Sequence, residues 1–166
     1  NESVDVVFCL DSSSSMTPYF NLVKENINNF IAGLESDPQQ SKWDARFDFV
    51  AHRAASNVLG HSSVFHDELW DALYGPSKSD DNLFTSDIDV FRDAVSKLQA
   101  RGDEANFVGL DFCLDMPWRD LSKTRRVVVM LTDETLSTGK CIPESRANIP
   151  LLKEKIKSLG IILFIF

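Results

Sequence analysis

The chain has 166 residues, of which 43% are apolar and 25% charged, and a net charge of −8. That is enough apolar mass for one folded domain, which excludes a disordered chain. The negative balance excludes the basic footprint of a nucleic-acid binder and suits cations or basic partner surfaces. No apolar run is long enough to span a bilayer, so no membrane insertion by this domain is expected.

In chain order, residues 4–10 (VDVVFCL) are β-branched and apolar and predict a buried strand. Pro18 suits a first helical turn. Phe20, Val23, Ile27, Phe30, Ile31 and Leu34 then recur at helical spacing, until Gly33 and SDPQQ (36–40) end the helix. Phe47, Phe49 and Ala51 alternate with Arg46, Asp48 and Val50, which predicts a second strand. Residues 54–82 carry mixed signals and read as a hairpin return or short helix followed by an exposed loop. Ser86 and Asp87 can cap a helix whose apolar face is Ile88, Phe91, Val95 and Leu98.

After the polar break ARGDEAN (100–106), Phe107, Leu110 and Leu114 mark a helix that stops near Pro117. RRVVVMLT (125–132) is the clearest buried strand, and DETLSTGKCIPESRAN (133–148) reads as a loop. Ile149, Leu152, Ile156 and Leu159 mark a last helix closed by Gly160, before the strand IILFIF (161–166). Strands that are apolar on both faces and alternate with helices predict a doubly wound, mostly parallel α/β sheet, a Rossmann-like fold, in a single domain over 1–166. A final helix ordinarily covers such a last strand, so the pattern implies a continuation beyond Phe166.

In open α/β sheets, ligands bind at the carboxyl ends of the strands. Three polar clusters fall there: Asp11-Ser12-Ser13-Ser14-Ser15, Gly102-Asp103-Glu104 and Thr132-Asp133-Glu134. Asp11, Ser13 and Ser15 alternate along an extended turn, so their side chains can converge. Asp133 and Asp103 would add two carboxylates, and three such groups repel one another unless a cation neutralises them. An oxygen-only donor set favours Mg²⁺, with Mn²⁺ or Ca²⁺ compatible, over Zn²⁺.

Asp11-x-Ser13-x-Ser15 after an apolar strand, followed by Met16 and an amphipathic helix, resembles the von Willebrand factor A (vWA) domain, the integrin I-domain type included. The metal-ion-dependent adhesion site (MIDAS) of that family combines such a motif with a Thr or Asp in a later loop and an Asp after the fourth strand. VVVMLTDE places the last element on Asp133. The middle one falls on Asp103 in Arg101-Gly102-Asp103, where the family usually has two glycines, with Glu104 as the alternative one residue on. The resemblance implies a metal site of Asp11, Ser13, Ser15, Asp103 and Asp133, in which Mg²⁺ keeps an open position for an Asp or Glu of a protein partner. It implies adhesion or complex assembly as the function. Ser12 and Ser14 read as turn residues.

Two other readings compete. One is an A domain within an ATPase- or chelatase-like machine. The other is a haloacid-dehalogenase-type phosphatase, which needs a second acid where Ser13 stands. There is no phosphate-binding Gly-rich loop, no G-x-S-x-G elbow and no local Cys–His support, so no catalytic constellation is expected. His52, His61 and His66 lack mutual metal spacing, and Cys9 reads as a small buried hydrophobe. Three cysteines are an odd number without metal spacing, which leans towards a reducing compartment. The family resemblance allows an extracellular one as well.

Overall fold

The structure, a computed structural model, describes residues 2–38, 43–54, 63–65, 84–100, 106–135 and 142–166. Its strands are β1 (Glu2–Asp11), β2 (Trp43–Ala54), β3 (Ser63–Phe65), β4 (Thr124–Leu131) and β5 (Ile161–Ile165). Its helices are α1 (Thr17–Ser36), α2 (Ile88–Ser96), α3 (Asn106–Leu114) and α4 (Ile142–Ser158). The strand order is β3-β2-β1-β4-β5. β1 pairs in parallel with β2 and β4, and β4 with β5, while β3 returns antiparallel to β2 at the edge. The expected mostly parallel, doubly wound architecture is therefore present. The hairpin return read in 54–82 exists at Ser63–Phe65; the rest of that reading lies outside the described residues.

The apolar run of β1 is buried on both sheet faces because successive strand residues point to opposite sides. That of β4 is buried on one face and partly buried on the other, whereas IILFIF, read as a buried strand, leaves Ile162, Phe164, Ile165 and Phe166 exposed at the sheet edge. Val6, Phe8 and Leu10 pack with Met16, Phe20, Ile27 and Ile31 and with Phe91, Ala94 and Val95, which places α1 and α2 on one face. Val7 and Cys9 pack with Leu110, Cys113, Leu114 and Leu152, which places α3 and α4 on the other. Cys9 and Cys113 are buried free thiols, so Cys9 sits as a small hydrophobe. Asp87 caps α2, its carboxylate accepting from the backbone N–H of Asp89 and Val90 at 3.0 and 3.1 Å. Gly160 closes α4 with φ of 63°, the left-handed conformation that glycine adopts without a Cβ penalty.

One boundary differs from expectation. The segment 133–148, read as a loop, contains the first turns of α4, which begins at Ile142. The apolar spacing begins only at Ile149, yet the helix starts at Ile142 and runs through Pro150. Pro143 costs little where it stands, because the first helical N–H groups have no intrahelical partner in any case.

Candidate site at the strand ends

β1 and β2 end side by side, with Asp11 opposite His52. The chain leaves the sheet at Ser12, whose backbone N–H and hydroxyl both donate to His52 O, at 3.0 and 2.9 Å. That pair of hydrogen bonds fixes the exit angle of the next residues. The N–H of Ser13 turns back to Asp11 Oδ1 at 2.9 Å. A single 3₁₀ turn, Ser14–Met16, follows, with Ser13 in extended conformation at its N-cap. Met16 is buried and pins the turn to the core. Ser14 is exposed, and its carbonyl accepts from Thr17 Oγ1 at 2.6 Å. Ser12 and Ser14 thus serve the turn, as expected.

Ser13 does not cap the turn with its side chain. Its hydroxyl lies 3.1 Å from Ser15 Oγ, and Ser15 Oγ donates to Asp133 Oδ1 at 3.1 Å. Asp11 and Ser13 are fully buried; Ser15 and Asp133 are exposed. Four of the expected residues, Asp11, Ser13, Ser15 and Asp133, therefore form one hydrogen-bonded string from the floor of the site to solvent. Asp103 and its alternative Glu104 lie outside the described residues. Among the described residues, neither Asp11 nor Asp133 has a lysine or arginine partner. Also among the described residues, no three His, Cys, Asp or Glu side chains are grouped to hold a metal. The described part of the site offers two carboxylates and two hydroxyls.

Two further residues belong to this constellation, and sequence reasoning gave neither a role. Thr132 Oγ1 donates to Asp11 Oδ2 at 2.7 Å. Its backbone N–H donates to Phe166 O at 3.1 Å, which holds the end of β4 in line. Asn106, the first residue of α3, is fully buried and donates from Nδ2 to Thr132 Oγ1 at 2.9 Å. Its Oδ1 is buried and has no hydrogen-bond partner among the described residues. The available signal was an amide standing between the polar break ARGDEAN and an apolar helix. An apolar cleft of about 1130 Å³ opens between α1 and the faces of β4 and β5, lined by Phe30, Val129, Leu131 and Phe164. None of Asp11, Ser13, Ser15 or Asp133 lines it.

Fold and site together define a doubly wound α/β domain with an acidic, hydroxyl-lined cradle at the carboxyl ends of β1 and β4. No protein-family model matches the sequence, and no curated protein is similar enough to count as a match. Solved structures do superpose. The pilus adhesin SpaC of Lactobacillus rhamnosus GG, in its open conformation, aligns with a TM-score of 0.53 at 18% identity, over 80% of this chain and 15% of its own. Proximal thread matrix protein 1 of the mussel byssus aligns with a TM-score of 0.54 at 16% identity, over 99% of this chain and 35% of its own. A von Willebrand factor type A protein from Catenulispora acidiphila spans the whole chain at 14% identity, but with a TM-score of 0.40 the superposition is too loose to argue from. The chain thus spans a minor part of each of these proteins, and at such identities the likeness shows the fold alone.

Proposed function

We propose that the chain is a vWA-type protein-binding module whose strand-end cradle holds a divalent cation for contact with an acidic side chain of a partner. The observation that carries this reading is the string Asp11–Ser13–Ser15–Asp133, two carboxylates and two hydroxyls gathered from two strand ends, with no lysine or arginine partner among the described residues. The donor chemistry supports Mg²⁺, because two carboxylates and two hydroxyls are hard oxygen donors with no nitrogen or sulfur among them. Asn106 Oδ1, a buried acceptor beside Thr132 with no donor among the described residues, would be satisfied by an ordered water.

When bound, the cation would offer a positive charge and an open coordination position to a carboxylate of the partner. The residues of the chain do the rest. Asp11, held at both oxygens, supplies fixed negative charge at the floor. Ser13 and Ser15 supply neutral oxygens, which leave part of the ion's charge for the partner. Asp133 stands at the exposed rim, where a ligand would arrive. Asp103 belongs to the proposed set from its place in the sequence. An adhesive role accords with the fold likeness to a protein described as a pilus adhesin.

Calorimetric titration with Mg²⁺ and Mn²⁺ tests the reading. One site is expected, and Asp11→Ala should abolish it; equal binding by wild type and variant would sink the proposal. The middle loop is tested in the same titration. Asp103→Asn should weaken Mg²⁺ binding, whereas weakening by Glu104→Gln alone moves the ligand one residue along. If neither substitution matters, that loop is not part of the site.

Metal removal should leave the fold standing. The cores on both sheet faces contain no site residue, so the cation would stabilise only by mass action, about 2.7 kcal/mol at a hundredfold excess over Kd. EDTA should lower the melting temperature of the Mg²⁺-saturated domain and leave its far-UV circular dichroism intact. Collapse of the spectrum would make the site structural.

A further inference from the structure

We infer that Asn106 and Thr132 form a positioning relay that orients the carboxyl group of Asp11 and aims it for the cation. The inference rests on the cation reading above and adds two residues to it. A hydroxyl has two acceptor lone pairs and one proton. Thr132 Oγ1 accepts from Asn106 Nδ2 at 2.9 Å and from the backbone N–H of Glu134 at 3.1 Å, so both lone pairs are engaged. Its proton must then be donated. Asp11 Oδ2 stands at 2.7 Å, against 3.3 Å for Glu134 O, and a charged acceptor makes the stronger bond.

The relay is anchored at its far end. Asn106 Nδ2 also faces Glu134 O at 3.4 Å and Thr135 O at 3.3 Å. A flipped amide would set its oxygen against both carbonyls, so the orientation with Nδ2 towards Thr132 is the only one that satisfies these acceptors. From Asn106 to Asp11 every donor direction is therefore determined.

Two consequences follow for Asp11. Its Oδ2 accepts from Thr132 Oγ1 and its Oδ1 from the N–H of Ser13, so both oxygens are held in place. A carboxylate offers about four lone-pair positions, and roughly two remain for a cation or its water. Thr132, with both lone pairs used, is a positioning residue and no ligand. Residues that orient a ligand in this way change metal affinity by roughly 10–100-fold when removed.

The test uses two readouts on the whole chain: Mn²⁺ affinity by calorimetry, and hydrogen exchange of the Ser13 amide in metal-free protein. Thr132→Val should weaken Mn²⁺ binding by roughly 10–100-fold, while Thr132→Ser, which restores the hydroxyl, should stay near wild type. Asn106→Ala should weaken binding in the same direction, and Asn106→Ala/Thr132→Val should bind no more weakly than Thr132→Val alone, because one relay is broken once. In metal-free protein, Asn106→Ala should speed Ser13 exchange by about tenfold while the Val7 amide, deep in β1, keeps its protection.

Wild-type Ser13 exchange in Asn106→Ala, or additive losses in the double variant, would overturn the relay. If the wild type binds no Mn²⁺, the cation reading fails, and Ser13 exchange in Asn106→Ala and Thr132→Val decides the relay by itself. Should Asn106→Ala fail to fold, the contrast between Thr132→Val and Thr132→Ser in both readouts decides it.

Discussion

Asp5→Ala should cost about 3 kcal/mol of unfolding free energy, the lower end of the range for breaking a buried ion pair by removing one partner. Asp5 lies in β1, fully buried, at the end of the sheet opposite the candidate site. Arg46, its register neighbour in β2, donates to it from Nε at 3.0 Å and Nη2 at 2.8 Å. Arg119 adds its backbone N–H at 2.9 Å and its Nε at 2.8 Å. Arg119 also donates to Val4 O and Asp44 O, so one carboxylate gathers the starts of β1 and β2 and the approach to β4. Without Asp5, two guanidinium groups would face each other. Their side chains are 25% and 23% exposed, and water reaching them keeps the cost at the lower end.

Acid should reveal the same network. Burial by itself would raise the pKa of Asp5, but the hydrogen bonds from Arg46 and Arg119 together with the Arg46 charge outweigh it and hold the carboxyl below its ordinary 3.8. A carboxyl with a depressed folded pKa stabilises fully above the unfolded value and loses that contribution as pH falls through the folded one. The stability gap between wild type and Asp5→Ala should therefore be constant near neutrality and narrow below about pH 3.8. Urea titrations across that range would measure it. A gap under about 1 kcal/mol at pH 7 would place Asp5 among ordinary surface pairs.

Gly109→Ala should destabilise by roughly 1–3 kcal/mol, against the helix propensity that favours alanine by about 1. Gly109 lies in α3 directly over the buried ring of His52. A Cβ there would stand 2.9 Å from His52 Cβ and closer still to the ring carbons Cγ and Cδ2. The Cβ of His52 belongs to a sheet strand and cannot swing away. Either α3 lifts from the sheet or β2 shifts. Both routes lead to the site: Asn106 opens α3, and the carbonyl of His52 holds Ser12. Gly109→Ala should therefore lower the unfolding midpoint in urea and weaken Mn²⁺ binding together. A variant as stable as wild type would mean that helix and strand have room to spare at this crossing.

The sequence by itself determined the order and type of the elements it could see locally. VDVVFCL and RRVVVML are short and apolar on both faces, the pattern of a parallel sheet covered by helices, whereas IILFIF reads alike but lies at the sheet edge with Ile162, Phe164 and Ile165 exposed. The same local logic brought out Asp11, Ser13, Ser15 and Asp133, because a strand that runs out into a carboxylate and hydroxyls leaves them at the edge of the sheet. Tertiary structure decided what no local pattern carries. The start of α4 lay hidden because its apolar spacing begins only at Ile149, seven residues after the helix starts at Ile142. Asp5 looked like one polar interruption in an apolar strand, and its partners Arg46 and Arg119 lie 41 and 114 residues away. Thr132 and Asn106 are 26 residues apart, and Thr132 and Asp11 are 121. Their roles follow from which donors and acceptors the folded chain sets within 3 Å. Hydrogen-bond direction is a property of that geometry, and residue types along the chain do not encode it until the strands are side by side.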